Sequence, residues 1–153
     1  MRRLIIRPGA IGDCILSLPA IEHLRDSADH SEVWISRPCA PLLPAGENAL
    51  VVRAIEDTCL YRPIGGAGWT QLAEALRKFD IIDSWYGSTL DEFHDWAARE
   101  RLTIRFHQAL PHSTAVTHAA DFFLRQVDAG APAHAVPRIA IPGTPGADDG
   151  FVA

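Results

Sequence analysis

Nowhere in its 153 residues does the chain carry an apolar run of about 18, so no helix of it is expected to span a membrane. It also lacks a basic excess. Lysine and arginine number 14 against 19 aspartates and glutamates, a net charge of −5 that argues against a general nucleic-acid binder. Cysteine is sparse: Cys14, Cys39 and Cys59 are widely spaced, form no Cys-x-x-Cys, and read as free buried thiols. The histidines show no ligand spacing. His107 and His112 have a proline between them and no nearby cysteine or His-Glu-x-x-His pattern, so no metal is expected. The N-terminus, "MRRLIIRPGA", begins basic but its apolar run is too short for a signal peptide, and the expected compartment is the cytoplasm. No internal repeat is present.

What the chain does have is a globular composition, 48% apolar and 22% charged, in a length suited to one domain with a proper core. "RLIIR" (3–7) reads as a strand closed by Pro8-Gly9. Ile15, Leu18, Ile21 and Leu24 then recur as a helical stripe, which Pro19 either kinks or opens from about Ser17. Further strands are expected at 32–36, 49–55, 80–85 and 102–107, and "CLYR" (59–62) either extends the sheet or leads out of it. A flexible turn at 63–68 precedes a helix at 69–79. A second helix at 88–101 has Ser88 and Asp91 as a capping-box-like pair. A third, at 113–130, has Ser113 as its cap and Gly130 as its stop. The Pro-, Gly- and Ala-rich stretch 131–153 reads as a linker or tail after a domain at 1–130.

Alternation of strand and helix predicts an α/β fold, a Rossmann-like, mainly parallel sheet with helices on both faces. Ligands in such sheets sit beyond the C-terminal ends of the strands. Three segments fall there: the turn at 8–13, "SRP" at 36–38 and "SWYGS" at 84–88. The first holds Gly9 and Gly12 three apart, then Asp13. It has neither Gly-x-Gly-x-x-Gly nor the lysine and hydroxyl of a phosphate loop, so a dinucleotide or triphosphate is poorly supported and no cofactor is expected. A carboxylate at a helix N-terminus would also repel a phosphate placed on the same amides. What remains is a glycine-lined turn that admits close approach, ending in one carboxylate. Backbone amides and the helix dipole favour its ionised form, which suits a general base for an attacking hydroxyl. Aspartate is equally a preferred helix cap, and the residues alone leave both roles open.

The stretch "LIIRPGAIGDCILSLPAIEHLR" resembles the N-terminal signature of the family 9 glycosyltransferases, which include the ADP-heptose:lipopolysaccharide heptosyltransferases, with Gly12, Asp13 and Pro19 at the family's spacing. "KFDIIDSWYGSTLDE" resembles the family's later strand, turn and helix, and "HAADFFLRQV" its helix before the interdomain crossing. The resemblance implies the N-terminal half of a GT-B fold, with Asp13 as counterpart of the catalytic base for inverting sugar transfer. The acceptor would be a lipopolysaccharide-type glycan held by the turn of Gly9 and Gly12 and by Arg7, Arg37 and Arg62, since guanidinium forks pair with phosphates and carboxylates. Each arginine taken alone reads equally as a solvated surface residue. Work on such an acceptor further implies peripheral contact with the inner membrane. Family members are about twice as long, and their second domain supplies the nucleotide-sugar site, so the residues here are expected to be inactive alone. Trp85-Tyr86 departs from the family's small polar turn.

Two other classes fit the same residues. One is a stand-alone module that binds an anionic glycan or a partner protein. The other is an unrelated small-molecule enzyme on a Rossmann-like sheet.

Overall fold

The computed structural model describes residues 1–43, 50–61, 67–111 and 117–139. Arg62 and Ser113, both singled out above, lie outside the described residues. In chain order the elements are β1 (Arg2–Arg7), α1 (Ile11–Asp26), β2 (His30–Ile35), a 3₁₀ turn (Arg37–Leu42), β3 (Leu50–Ala54), a second 3₁₀ turn (Ile55–Asp57), α2 (Ala67–Leu76), β4 (Ile81–Ser84), α3 (Asp91–Arg99), β5 (Ile104–Phe106) and α4 (Ala119–Val127).

The five strands form one sheet in the order β3-β2-β1-β4-β5, and every pairing is parallel. β1 is central, so every residue from Arg3 to Arg7 is buried, as a strand covered on both faces should be. Alternation sends Ile5 to one face and Leu4 and Ile6 to the other. On the first face Ile5, Val33 and Ile35 pack with Leu18, Ile21 and Leu24 of α1 and Phe123 of α4. On the second, Leu4, Ile6, Trp34 and Ile82 meet Leu72 and Leu76 of α2 and Phe93 and Trp96 of α3. The expected α/β class is what the chain forms. The strand order reverses direction between β1 and β4, and this locates a crevice at their C-terminal ends.

Several boundaries differ from expectation. Helix α1 begins at Ile11 and runs through the buried Pro19, so the proline neither opens the helix nor lies in its first turn. Residues 58–61 form a turn and no strand. Helix α3 starts at Asp91 with Leu90 as its N-cap and no side-chain capping bond, so Ser88 and Asp91 form no capping box. Helix α4 is shorter than the 113–130 periodicity implied. His118 is its N-cap, with Nδ1 accepting from the Ala120 amide, and Asp128, not Gly130, follows its last turn. Beyond α4 the chain is irregular, but Asp121 ties it back. Its carboxylate accepts the amides of His134 (3.1 Å) and Ala135 (2.7 Å), which holds its pKa below the usual aspartate value.

No helix among the described residues is long and apolar enough to cross a membrane.

Candidate functional site at the C-terminal end of the first strand

The turn between β1 and α1 is built from residues Arg7 to Cys14. Gly9 has φ of +133°, a conformation that other residues adopt only under strain. Ser36, just past β2, clamps this glycine at both ends: its hydroxyl accepts from the Gly9 amide (3.1 Å) and donates to the Gly9 carbonyl (2.8 Å). Asp13 lies above, with Oδ2 3.4 Å from where a Cβ on Gly9 would stand.

Ala10 is the N-cap of α1, and no side chain caps the helix. Asp13 is therefore the third helical residue, half-buried in the first turn, and not the cap. Its carboxylate makes no hydrogen bond or ion pair with any described residue. A free carboxylate beside a turn of fixed shape has the form a proton acceptor needs.

Arg7 has a different task from the one expected. It is 2% exposed. Nε donates to Ser17 Oγ (3.1 Å), Nη1 to the Pro8 carbonyl (2.8 Å) and Nη2 to the Asp13 carbonyl (3.2 Å). The guanidinium lies over Phe123 at 4.8 Å and near Trp85 at 5.9 Å, a packing that replaces lost water by ring faces. Burial lowers its pKa, with Cys14 and Asp13 opposing. This arginine fastens the strand end, the turn and the first turn of α1 together from beneath, and presents nothing to solvent. Arg37 is exposed at the end of β2, but Asp57 holds its guanidinium at 2.6 Å and raises its pKa, while Glu56 accepts from its amide.

Gly12 is exposed, and a Cβ there would meet nothing within 4 Å. The chain's own packing gives no reason for glycine at this position. Gly12→Ala should raise stability by at most about 0.5–1 kcal/mol, the helix-interior preference of alanine over glycine being an upper bound in a first turn. If an acceptor approaches over this residue, the same change in a transfer-competent form should cut turnover about tenfold or more. Thermal melting and a transfer assay read the two effects; unaltered transfer would show that Gly12 serves no approach.

Cys14 and Cys39 are wholly buried beneath the turn, and Cys59 is half-buried. Burial, then a hydrogen bond with Cys39, pushes the Cys14 thiol up to about 12. At pH 8 only about one in 10⁴ such groups is a thiolate, so it should be inert. A native thiol titration should count one reactive group, Cys59, and a denatured one all three. A second fast native thiol would refute this.

Sequence reading missed a buried charged group on the same face. Asp83 of β4 is 0% exposed, accepts from Arg3 Nη1 at 2.7 Å and contacts His107 Nε2 at 2.9 Å. The His107 ring lies 4.7 Å from that of Trp85. The signal was present in "DIIDSW", where an aspartate interrupts an apolar strand, but its partners lie far away in sequence. No cluster of three or more metal-ligating side chains occurs among the described residues. A groove of about 410 Å³ runs between Arg2, Glu32, Trp34, Arg53, Thr58 and Phe79, none of them a residue of the β1–α1 turn, and Glu32 is held by Arg53 and the Trp34 ring N–H. A second groove, of about 360 Å³, is lined by Ser88, Thr89, Gln108 and Leu110, residues that follow β4 and β5.

No protein-family model and no curated protein matches the chain. Solved structures do. A family 9 glycosyl transferase from Veillonella parvula DSM 2008 superposes with a TM-score of 0.55 at 17% identity, over 92% of this chain and 45% of that one. The two share a fold. Escherichia coli heptosyltransferase WaaC, solved with ADP-2-deoxy-2-fluoro heptose, gives 0.48 at 17% identity over 83% and 47% of the two chains. The same protein with ADP gives 0.47 at 19% identity over 83% and 46%. The chain spans about half the length of the structures it matches. The resemblance read from the sequence is thus borne out at the level of the fold.

Proposed function

We propose that these residues form the acceptor-side half of an inverting glycosyltransferase, with Asp13 as general base. The observation that carries this reading is the free carboxylate of Asp13 at the switch crevice, one helical turn past a glycine held at positive φ. In the proposed step an acceptor hydroxyl approaches over Gly12 and donates its proton to Asp13 as its oxygen attacks the anomeric carbon of a nucleotide sugar. The nucleoside diphosphate leaves from the opposite side. Arg7 is a positioning residue: it holds the carbonyls of Pro8 and Asp13, and so the backbone that carries the carboxylate. Arg37 and Arg62 are proposed to contact acceptor phosphates, Arg37 on exchanging its exposed contact with Asp57.

The acceptor is proposed to be a lipopolysaccharide-type glycan, the donor to be ADP-heptose bound largely by a second domain, and the setting to be the cytoplasmic side of the inner membrane. Support comes from the shared fold and from the absence of a phosphate loop in this sequence. Residues 131–153 are proposed to lead towards that second domain.

Two measurements test the reading. The longest form encoded by the gene, given a panel of nucleotide sugars and a deacylated core oligosaccharide, should transfer a sugar with inversion. Calorimetry on residues 1–153 should detect oligosaccharide binding and no micromolar binding of ADP-heptose. Micromolar nucleotide-sugar binding to these residues alone would overturn the division of labour.

A further inference from the structure

Tyr61 and Tyr86 belong to connections that follow β3 and β4, strands separated in the sheet by β2 and β1. Their rings nevertheless meet, with centroids 5.7 Å apart and planes at 65°. The chain after β3 therefore crosses the C-terminal ends of β2 and β1. Ile55 and Leu60 anchor that crossing by joining the apolar cluster of Leu4 and Ile6. It delivers Tyr61 to the C-terminal edge of the sheet, the edge at which α1 also begins.

The two tyrosines are held very differently. Tyr86 is fixed: Ser84 Oγ accepts from its amide (3.1 Å) and donates to its carbonyl (2.9 Å). Its ring stands edge-on to the buried Phe93 at 5.6 Å. Gly87 follows at φ of +76°, where a Cβ would lie 2.6 Å from the Phe93 ring, so this turn admits only glycine. Tyr61 is 49% exposed and has Tyr86 as its one ring neighbour among the described residues. Burial of its inner half raises the phenol's pKa, and Tyr86, Glu56 and Cys14 add to the rise.

We propose that Tyr61 and Tyr86 form an aromatic platform that stacks on the C–H face of an acceptor sugar ring at the C-terminal edge of the sheet. The inference rests on the acceptor-domain reading above and gives it a subsite. A phenol ring suits this ligand: its face is apolar, as is one face of a pyranose, while its hydroxyl remains free to bond at the rim. The rigid Tyr86 sets the orientation and the exposed Tyr61 supplies the contact area, so little ordering is left to occur on binding.

The test is calorimetric titration of the full chain with a water-soluble, deacylated lipopolysaccharide core oligosaccharide. Tyr61→Phe should bind within about twofold of the unmodified chain, and Tyr61→Ala about tenfold more weakly, the scale of one lost aromatic contact. Tyr61→Leu should fall between them, because it retains apolar area but no ring. Asp13→Asn should bind within about threefold, since a base acts on the bound hydroxyl and need not hold the ring. Tyr61 is half exposed, so all three Tyr61 variants should keep the native circular dichroism. If Tyr61→Ala binds as tightly as the unmodified chain, the platform is wrong and the acceptor reading stands. If the unmodified chain binds no oligosaccharide at millimolar concentration, the acceptor reading falls and takes the platform with it. If ADP displaces the oligosaccharide in a Tyr61-dependent way, the rings stack on a base and the sugar assignment is overturned.

Discussion

Asp13→Asn is expected to reduce turnover of the transfer-competent protein by about 10²–10⁴-fold, the range for loss of an acid–base group, while leaving the melting temperature nearly unchanged. Asparagine preserves shape and polarity but cannot take a proton. The structure sharpens this comparison. Because Ala10 is the N-cap and the Asp13 carboxylate holds no amide, there is no capping bond for the substitution to break. Asp13→Ala should likewise cost little in folding, at most the roughly 0.3–1 kcal/mol that a first-turn carboxylate gains from the helix dipole. Activity and stability thus separate cleanly at this residue. Turnover within threefold of normal in the asparagine variant would remove Asp13 from the chemistry. A loss of stability above about 2 kcal/mol would instead point to a structural role larger than a helix dipole can supply.

Asp83→Ala should have the largest effect on folding, about 3–5 kcal/mol, because it strands a buried arginine without its counter-charge. Arg3 is 5% exposed, and its Nε already lacks a partner among the described residues. That loss is a large share of the 5–15 kcal/mol typical of a domain, so the variant should be partly unfolded at 37 °C. The double variant Arg3→Met, Asp83→Leu removes both charges but leaves the buried His107 without Asp83, so it should recover only part of the deficit. Urea unfolding of Arg3→Met, Asp83→Leu and the double variant measures the coupling. A single-variant cost below 1 kcal/mol, or a double variant no better than the sum of its parts, would show that water reaches this pair and screens it.

The two sites differ in how far local pattern could reveal them. The strand-breaker-helix pattern around Pro8-Gly9 was readable because strand, turn and helix signals act within a few residues. It placed Asp13 beyond the end of β1, where the structure has it. Helix starts were less legible. Pro19 suggested either a kink or a start near Ser17, but the helix begins at Ile11 with its proline buried in its interior. The periodicity of 113–130 overstated α4. His118 caps the helix only at Ala119, and after Val127 the bonds from the His134 and Ala135 amides to Asp121 hold the chain back against it.

The sequence by itself determined the alternation of elements, the parallel sheet they imply, the absence of a phosphate loop and the juxtaposition of a glycine turn with one carboxylate. Each of these follows from backbone preferences and side-chain periodicity within a short window. Only the tertiary structure decided which charges are buried and which residues meet. Arg7 looks like a surface arginine until Phe123, more than a hundred residues away, closes over it. Asp83 gains its meaning from Arg3 and His107, and Tyr61 from Tyr86, through contacts made across strands that are distant in sequence. Burial of a charge depends on which remote element covers it, and no window of neighbouring residues carries that information.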